Sequence, residues 1–201
     1  MNICILTGMK KDIYVFRHGE TDYNKEGRLL GMIDHPLNAT GLAQAKALAD
    51  RLKDVSMELI FSSPLKRAYQ TGEAVATSKN IPIVVDDRLR EMTVGQMDGQ
   101  LANDVATTYP EDYKTFLAWD DLDFRFPNGE SNREVQARAL SFFKDMAQNS
   151  YTRIGVATHS AFMRCMLLAL GLPKIVEIAN GAVFHIVYED GQFTMNPLDE
   201  R

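Results

Sequence analysis

The sequence predicts an α/β fold: a three-layer sandwich with a mostly parallel sheet, helices on both faces, an antiparallel edge and a small helical lid insert. Three observations carry that expectation. Short apolar runs alternate with stretches of helical period, the rhythm of strand–helix–strand units and hence of a parallel sheet. Two apolar runs near the end flank Glu189-Asp190-Gly191, a hairpin turn that adds antiparallel strands. Residues 100–128 interrupt the rhythm with aromatics set among acids. A chain of 201 residues with 45% hydrophobic content suits one domain over 1–201 with an ample core.

The elements follow in order. Ile13-Tyr14-Val15-Phe16 reads as a buried strand. Met9-Lys10-Lys11-Asp12 precedes it and looks like a natural start, so residues 1–8 are expected to be an extension with little function. A polar, glycine-containing loop runs from Thr21 to Pro36. Leu42, Ala45, Leu48, Ala49 and Leu52 then recur at helical spacing, with Asn38 or Thr40 as the cap. Leu59-Ile60-Phe61 is a second strand, ending at Ser62-Ser63-Pro64, where Pro64 suits the first turn of a helix. That helix runs to about Lys79 and is stopped by Asn80 and Pro82, and Ile83-Val84-Val85 is a third strand.

Between about 100 and 128 lie Tyr109, Tyr113, Phe116, Trp119, Phe124 and Phe126. Short helices and a loop forming a lid fit this segment; so does a surface excursion packed by its own aromatics. Ser131 and Glu134 fit a capping box. Val135, Ala139, Phe142, Phe143 and Met146 make the buried stripe of the helix that follows. Ile154-Gly155-Val156-Ala157 is a fourth strand, ending at Thr158-His159-Ser160. A helix continues through Leu170 to Gly171 and Pro173, before the hairpin of Val183–Tyr188 and Gln192–Met195.

Bulk properties narrow the function. The net charge is −5 and no long basic run occurs, which argues against a nucleic-acid or anionic-membrane surface. A small basic pocket remains compatible with an acidic chain. Cys4 and Cys165 are too few for a disulfide framework and show no metal-type spacing. No stretch is long enough to cross a bilayer, and the N-terminus lacks a basic start and a signal-length apolar core. A cytoplasmic protein is expected.

Parallel strands bring their C-terminal ends to one side, where ligands of open α/β sheets bind. The first strand delivers Arg17-His18-Gly19-Glu20-Thr21 there, the second Ser62-Ser63-Pro64 with Arg67 a turn later, and the fourth His159 at the mouth of a helix. Arginine offers a planar fork to phosphate oxygens. Neutral imidazole can attack phosphorus and carry the group covalently. Glycine lets the backbone turn sharply and approach a ligand. A phosphate monoester needs charge spread over three equatorial oxygens to be stabilised. Arg17, Arg67 and His159, which would help most if protonated, meet that need without a metal, with backbone N–H groups of the helix behind His159 as further donors. Glu91, just past the third strand, is the best placed acid for the leaving alkoxide and a later base for water. Each residue alone has an ordinary alternative: Arg67 as a solvated helix arginine, His159 as a satisfied histidine, Glu91 as a surface carboxylate. Gathered at strand ends, they point to phosphoryl transfer on histidine.

With these residues in view, the chain resembles the histidine phosphatase superfamily, in its phosphoglycerate mutase-like branch, from Ile13 to about Tyr188. The resemblance rests on Arg17-His18-Gly19-Glu20-Thr21 with Asn24, Ser62-Ser63-Pro64 with Arg67-Ala68 and Thr71, Glu91 with Gly95 and Gly99, Gly129-Glu130-Ser131, and Thr158-His159. It implies that His18 is phosphorylated and then hydrolysed, and that Glu91 donates the proton. It also implies that Arg17, Arg67 and His159 hold the phosphoryl group with Asn24 and the backbone N–H of Ser160. Gly129, Glu130 and Ser131 read as a turn and helix cap, and Glu20 as a structural partner for nearby groups. Three positions depart from the family pattern. Leu30 stands where glutamine is frequent, Met97 where tryptophan is frequent, and Ser160 where glycine is usual.

The short passage from Glu91 to Gly95 and Gly99 favours a site open to water, hence a phosphomonoester hydrolase acting on a small phosphorylated metabolite, with no cofactor or metal. The alternatives are a bisphosphate-primed phosphoglycerate mutase and a catalytically weak phosphoryl-ligand binding module. The lid acids Glu111, Asp112, Asp120, Asp121 and Asp123 either face the pocket, disfavouring polyanionic substrates, or form a solvated surface. The lid aromatics either stack on a sugar or base or form a small core.

Overall fold

The computed structural model describes residues 10–196. In chain order the elements are β1 (Lys11–Arg17), α1 (Asp22–Lys25), α2 (Ala39–Arg51), β2 (Leu59–Ser62), α3 (Lys66–Lys79), β3 (Ile83–Val85), α4 (Ala102–Thr108), α5 (Pro110–Ala118), α6 (Asn132–Gln148), β4 (Arg153–Thr158), α7 (Ser160–Ala169), β5 (Val183–Glu189) and β6 (Gln192–Asn196). The strands form one sheet in the order β3-β2-β4-β1-β5-β6. The pairs β3–β2, β2–β4 and β4–β1 are parallel, whereas β1–β5 and β5–β6 are antiparallel. A mostly parallel sheet with an antiparallel edge is therefore what forms.

Period-two alternation divides the strand residues between two cores. Ile13, Val15, Leu59, Phe61, Ile154 and Val156 face α6 and α7, packing on Val135, Phe142, Phe143, Phe162 and Met166. Phe16, Ile60 and Ala157 face the other way, onto Leu48, Ala49 and Leu52 of the α2 region and Val75 and Ala76 of α3. These two layers of helix complete the three-layer sandwich.

Local chemistry accounts for most boundaries. Asn38 caps α2 by accepting from the Gly41 N–H at 2.8 Å. Asn80 ends α3 in the left-handed region at φ 52°. Ser131 and Glu134 form the capping box of α6, and its buried face holds Val135, Ala139, Phe142, Phe143 and Met146 as expected. Three details differ from the sequence reading. Leu42 is 53% exposed, because the first turn of α2 buries Gly41, against the Glu20 backbone, and leaves Leu42 on the outer face. Pro64 precedes α3 instead of lying in its first turn. The loop from Thr21 to Pro36 contains the one-turn helix α1, closed by a Thr21–Asn24 capping box, too short to leave a periodic signal.

The segment 100–128 folds as α4, α5 and a loop. Its aromatics pack largely against the protein itself. Tyr113, Phe116, Phe124 and Phe126 pack with Val94, Met97 and Val105 in a small core of their own, while Trp119 is buried in the main core. The acids form a solvated surface. Asp120 pairs with Lys174 at 2.6 Å, Asp123 pairs with Arg133 at 2.7 Å, and Asp121 accepts from the Asp123 and Phe124 N–H groups. Glu111 and Asp112 are exposed. Residues 1–8, including Cys4, lie outside the described residues. No described helix is long and apolar enough to cross a membrane.

Candidate active site

The C-terminal ends of β1, β2 and β4 meet under a cavity of about 200 Å³. Arg17, His18, Asn24, Arg67, Glu91 and Ser160 line it, with Met92, Val94, Tyr113, Phe116, Leu117 and Trp119 in its apolar wall. The structure thus gathers every sequence-predicted site residue except His159 at the cavity itself. Parallel pairing does this: Arg17 of β1 lies in register with Thr158 of β4, and Ser62 of β2 with Ala157.

His18 is buried, with its Nδ1 2.6 Å from the Gly19 carbonyl oxygen. A carbonyl only accepts, so Nδ1 carries the proton and Nε2 keeps its lone pair. Burial, then Arg67 and Arg17, hold the ring well below the ordinary histidine pKa, so it is neutral. Gly19 is required for close approach. A Cβ there would lie 2.5 Å from the Gly41 carbonyl oxygen. Its N–H donates to Thr71 Oγ1 at 3.1 Å. Glu20 is structural, accepting from Asn38 Nδ2 at 2.9 Å.

His159 lies beside His18, ring centroids 5.1 Å apart, fully buried behind the cavity wall. Its Nε2 is 2.8 Å from Ser63 Oγ, and its Nδ1 is buried without a partner. Burial, then Arg67 and His18, push its pKa well below 6.5. His159 would help most if protonated, a state the sequence leaves open; in the protein alone it is neutral, since desolvation and neighbouring cations both penalise its charge.

Arg67 is fully buried rather than solvated. It donates from Nη1 to Ile33 O at 2.7 Å and from Nη2 to Gly31 O at 2.8 Å. Arg17 donates from Nη1 to Ile178 O at 2.6 Å. Burial lowers each guanidinium to about 10, opposed by Glu91, and both stay charged at neutrality. The Nε atoms of both are buried and unpartnered, and buried polar atoms normally find partners. Asn24 Oδ1 is held by the Thr21 N–H and hydroxyl and by Asn180 Nδ2, so the Nδ2 amide is what Asn24 can offer a ligand.

Glu91 is nearly buried at the start of α7. It accepts from the Met92 and Phe162 N–H groups at 3.0 Å each and from Ala161 N–H at 3.3 Å. Two N–H groups of the α7 N-terminus, those of Ala161 and Phe162, are thus engaged by Glu91 and not free for a ligand. Ser160, at the cavity wall, keeps its N–H without a protein partner among the described residues. Glu130 belongs to the scaffold, paired with Arg138 at 3.1 Å. Met97 is buried in the small core, and Leu30 makes part of the cavity wall apolar. Among the described residues, no group of three or more His, Cys, Asp or Glu side chains is placed to hold a metal ion.

Two cavity-lining cations were missed by sequence reasoning, Arg28 and Arg164. Arg164 carried a usable signal: it stands four residues after Ser160, on the same helix face. Arg28 carried none, since only the fold of the loop after α1 turns it to the site.

Comparison with known proteins agrees with this geometry. The family model described as "Histidine phosphatase superfamily (branch 1)" matches residues 13–200. Phosphoserine phosphatase 1 of Hydrogenobacter thermophilus is 33% identical over 159 residues, 79% of this chain and 75% of that protein. A probable phosphoglycerate mutase of Escherichia coli is 33% identical over 186 residues, 89% of this chain and 85% of that protein. The solved structure of a mycobacterial glucosyl-3-phosphoglycerate phosphatase with VO3 superposes with a TM-score of 0.85 at 25% identity, covering 94% of this chain and 98% of that one. With strand ends, sheet order and matched sequence in agreement over nearly the whole chain, this protein belongs to the histidine phosphatase superfamily, branch 1.

Proposed function

We propose that the protein is a phosphomonoester hydrolase that works through a phosphohistidine on His18. One observation carries the reading: the Gly19 carbonyl fixes the tautomer that leaves His18 Nε2 unprotonated, between two arginines at the cavity floor. Nε2 attacks phosphorus, an N–P bond forms, and the ester P–O bond breaks. The leaving alkoxide takes its proton from Glu91. Water then attacks the phosphohistidine with Glu91 taking its proton, the N–P bond breaks, and inorganic phosphate leaves.

Arg17, Arg67, Asn24 and the Ser160 N–H hold the phosphoryl oxygens. Neutral His159 is assigned a donor role in the tautomer in which the Ser63 hydroxyl, 2.8 Å away, donates to Nε2 and the ring proton sits on Nδ1, which has no protein partner among the described residues. The guanidiniums supply the positive charge that a metal would otherwise provide, so the reaction is assigned no metal and no cofactor. A cavity of about 200 Å³ is below the drug-sized range of about 300–1,000 Å³ and favours a short-chain metabolite, encountered in the cytoplasm.

A second reading, a bisphosphate-primed phosphoglycerate mutase, is favoured by the name of the Escherichia coli relative. Incubation with 3-phosphoglycerate separates the two: release of inorganic phosphate supports the hydrolase, and formation of 2-phosphoglycerate the mutase. His18→Ala is expected to abolish both phosphate release and an acid-labile phosphoryl label. Retained activity in that variant would overturn the mechanism and leave only the binding-module alternative for His18.

A further inference from the structure

Four arginines line the cavity, and the phosphoryl group uses only two of them. Arg28 is already matched: its Nε pairs with Glu26 at 2.6 Å and its Nη1 donates to Gly99 O at 2.9 Å. Arg164 is not. Its Nε donates to Val176 O at 2.7 Å and its guanidinium lies over the Trp119 ring, 5.1 Å from the centroid. Those two contacts fix the plane of the fork. Neither Nη has a hydrogen-bond partner, and Arg164 forms no ion pair among the described residues. Glu91 and Glu177 act on it only at a distance. A half-buried, immobilised guanidinium with two unmatched Nη groups in a substrate cavity is a preformed receptor for a second anion.

We infer that Arg164 is a specificity residue that binds a carboxylate on the alcohol portion of the substrate, so that the protein selects phosphate esters bearing a carboxylate a few bonds from the ester oxygen. This rests on the phosphomonoester reading above. Ser160 and Arg164 are one turn apart on the same face of α7 and both line the cavity, so one small ester can meet the Ser160 N–H with its phosphoryl group and the guanidinium with its other end. A carboxylate accepts two parallel N–H bonds from the Nη edge. A neutral hydroxymethyl group in its place would leave the guanidinium unmatched. Trp119 and the Val176 carbonyl hold the fork in place before the substrate arrives, which lowers the ordering cost of binding.

The matched probes are 3-phosphoglycerate and glycerol 3-phosphate, which differ only by carboxylate against hydroxymethyl. The wild-type protein is expected to show at least tenfold higher kcat/KM for 3-phosphoglycerate, carried mainly by KM. Arg164→Gln is expected to reduce that preference at least tenfold, and Arg164→Lys to restore part of it. Equal kcat/KM for the two esters in the wild type overturns the inference without needing any variant. A variant that slows both esters in the same proportion also overturns it, reducing Arg164 to a strut for Trp119. If neither ester nor p-nitrophenyl phosphate releases phosphate, the hydrolase reading fails. The same preference, read as dissociation constants by calorimetry, then decides Arg164 separately.

Discussion

Gly41 offers a sharp test of how the scaffold sets the chemistry. It lies in the first turn of α2, where replacing glycine by alanine ordinarily stabilises a helix by up to about 1 kcal/mol. Here an added Cβ would sit 2.0 Å from the Glu20 carbonyl oxygen, about 1.4 Å short of the 3.4 Å at which ordinary contact begins. The obstructing atom is backbone, so no side chain can swing away. Overpacking of this kind costs about 1–3 kcal/mol. The Glu20 carbonyl also accepts from the Asn38 N–H at 3.0 Å, and displacing it forfeits a hydrogen bond worth about 1 kcal/mol. The net expectation for Gly41→Ala is a loss centred near 2 kcal/mol, or a fall in Tm of about 4–8 °C by calorimetry. The displaced segment adjoins Gly19, whose carbonyl fixes the His18 tautomer. Misplacement of a reacting group by about 1 Å costs on the order of a hundredfold, so phosphate release should fall at least tenfold. An unchanged or raised Tm with full activity would refute the close-packed Gly19–Gly41 contact as the device that positions His18.

Two further outcomes follow from the site. His18 and His159 are both buried neutral, with pKa values pushed below that of the unfolded chain, so the unfolded state binds more protons as pH falls below about 6.5 and stability is lost in that direction. Urea titrations should show the pair contributing a loss of about 2 kcal/mol between pH 6.5 and 5.5, with His18→Asn removing about half of it; an identical pH dependence in that variant would contradict the burial argument. Arg67→Lys replaces the planar fork that reaches the Gly31 and Ile33 carbonyls from two separate Nη atoms with a single ammonium on a shorter stem, and so gives up that paired geometry. It should cost about 2–3 kcal/mol of stability and at least tenfold in kcat/KM, whereas wild-type melting behaviour would show that the fork is dispensable.

Much of this was legible in the sequence because it depends on neighbours along the chain. Alternation placed Ile13, Val15, Ile154 and Val156 in the sheet, and the Ser131–Glu134 spacing marked the start of α6. The strand-end string beginning at Arg17 pointed to phosphate chemistry, because parallel strands must bring such ends together. Tertiary structure decided what depends on atoms distant in sequence. Desolvation beside Arg67 keeps His159 neutral, and the α7 N–H groups engage Glu91 instead of a ligand. The acids of residues 100–128 face solvent where Lys174 and Arg133 pair with Asp120 and Asp123, while Trp119 turns inward beneath Arg164. Periodicity and motif report which face a residue occupies. Charge state, tautomer and the direction of a long side chain are set by the through-space field and packing of groups that only the fold brings within reach.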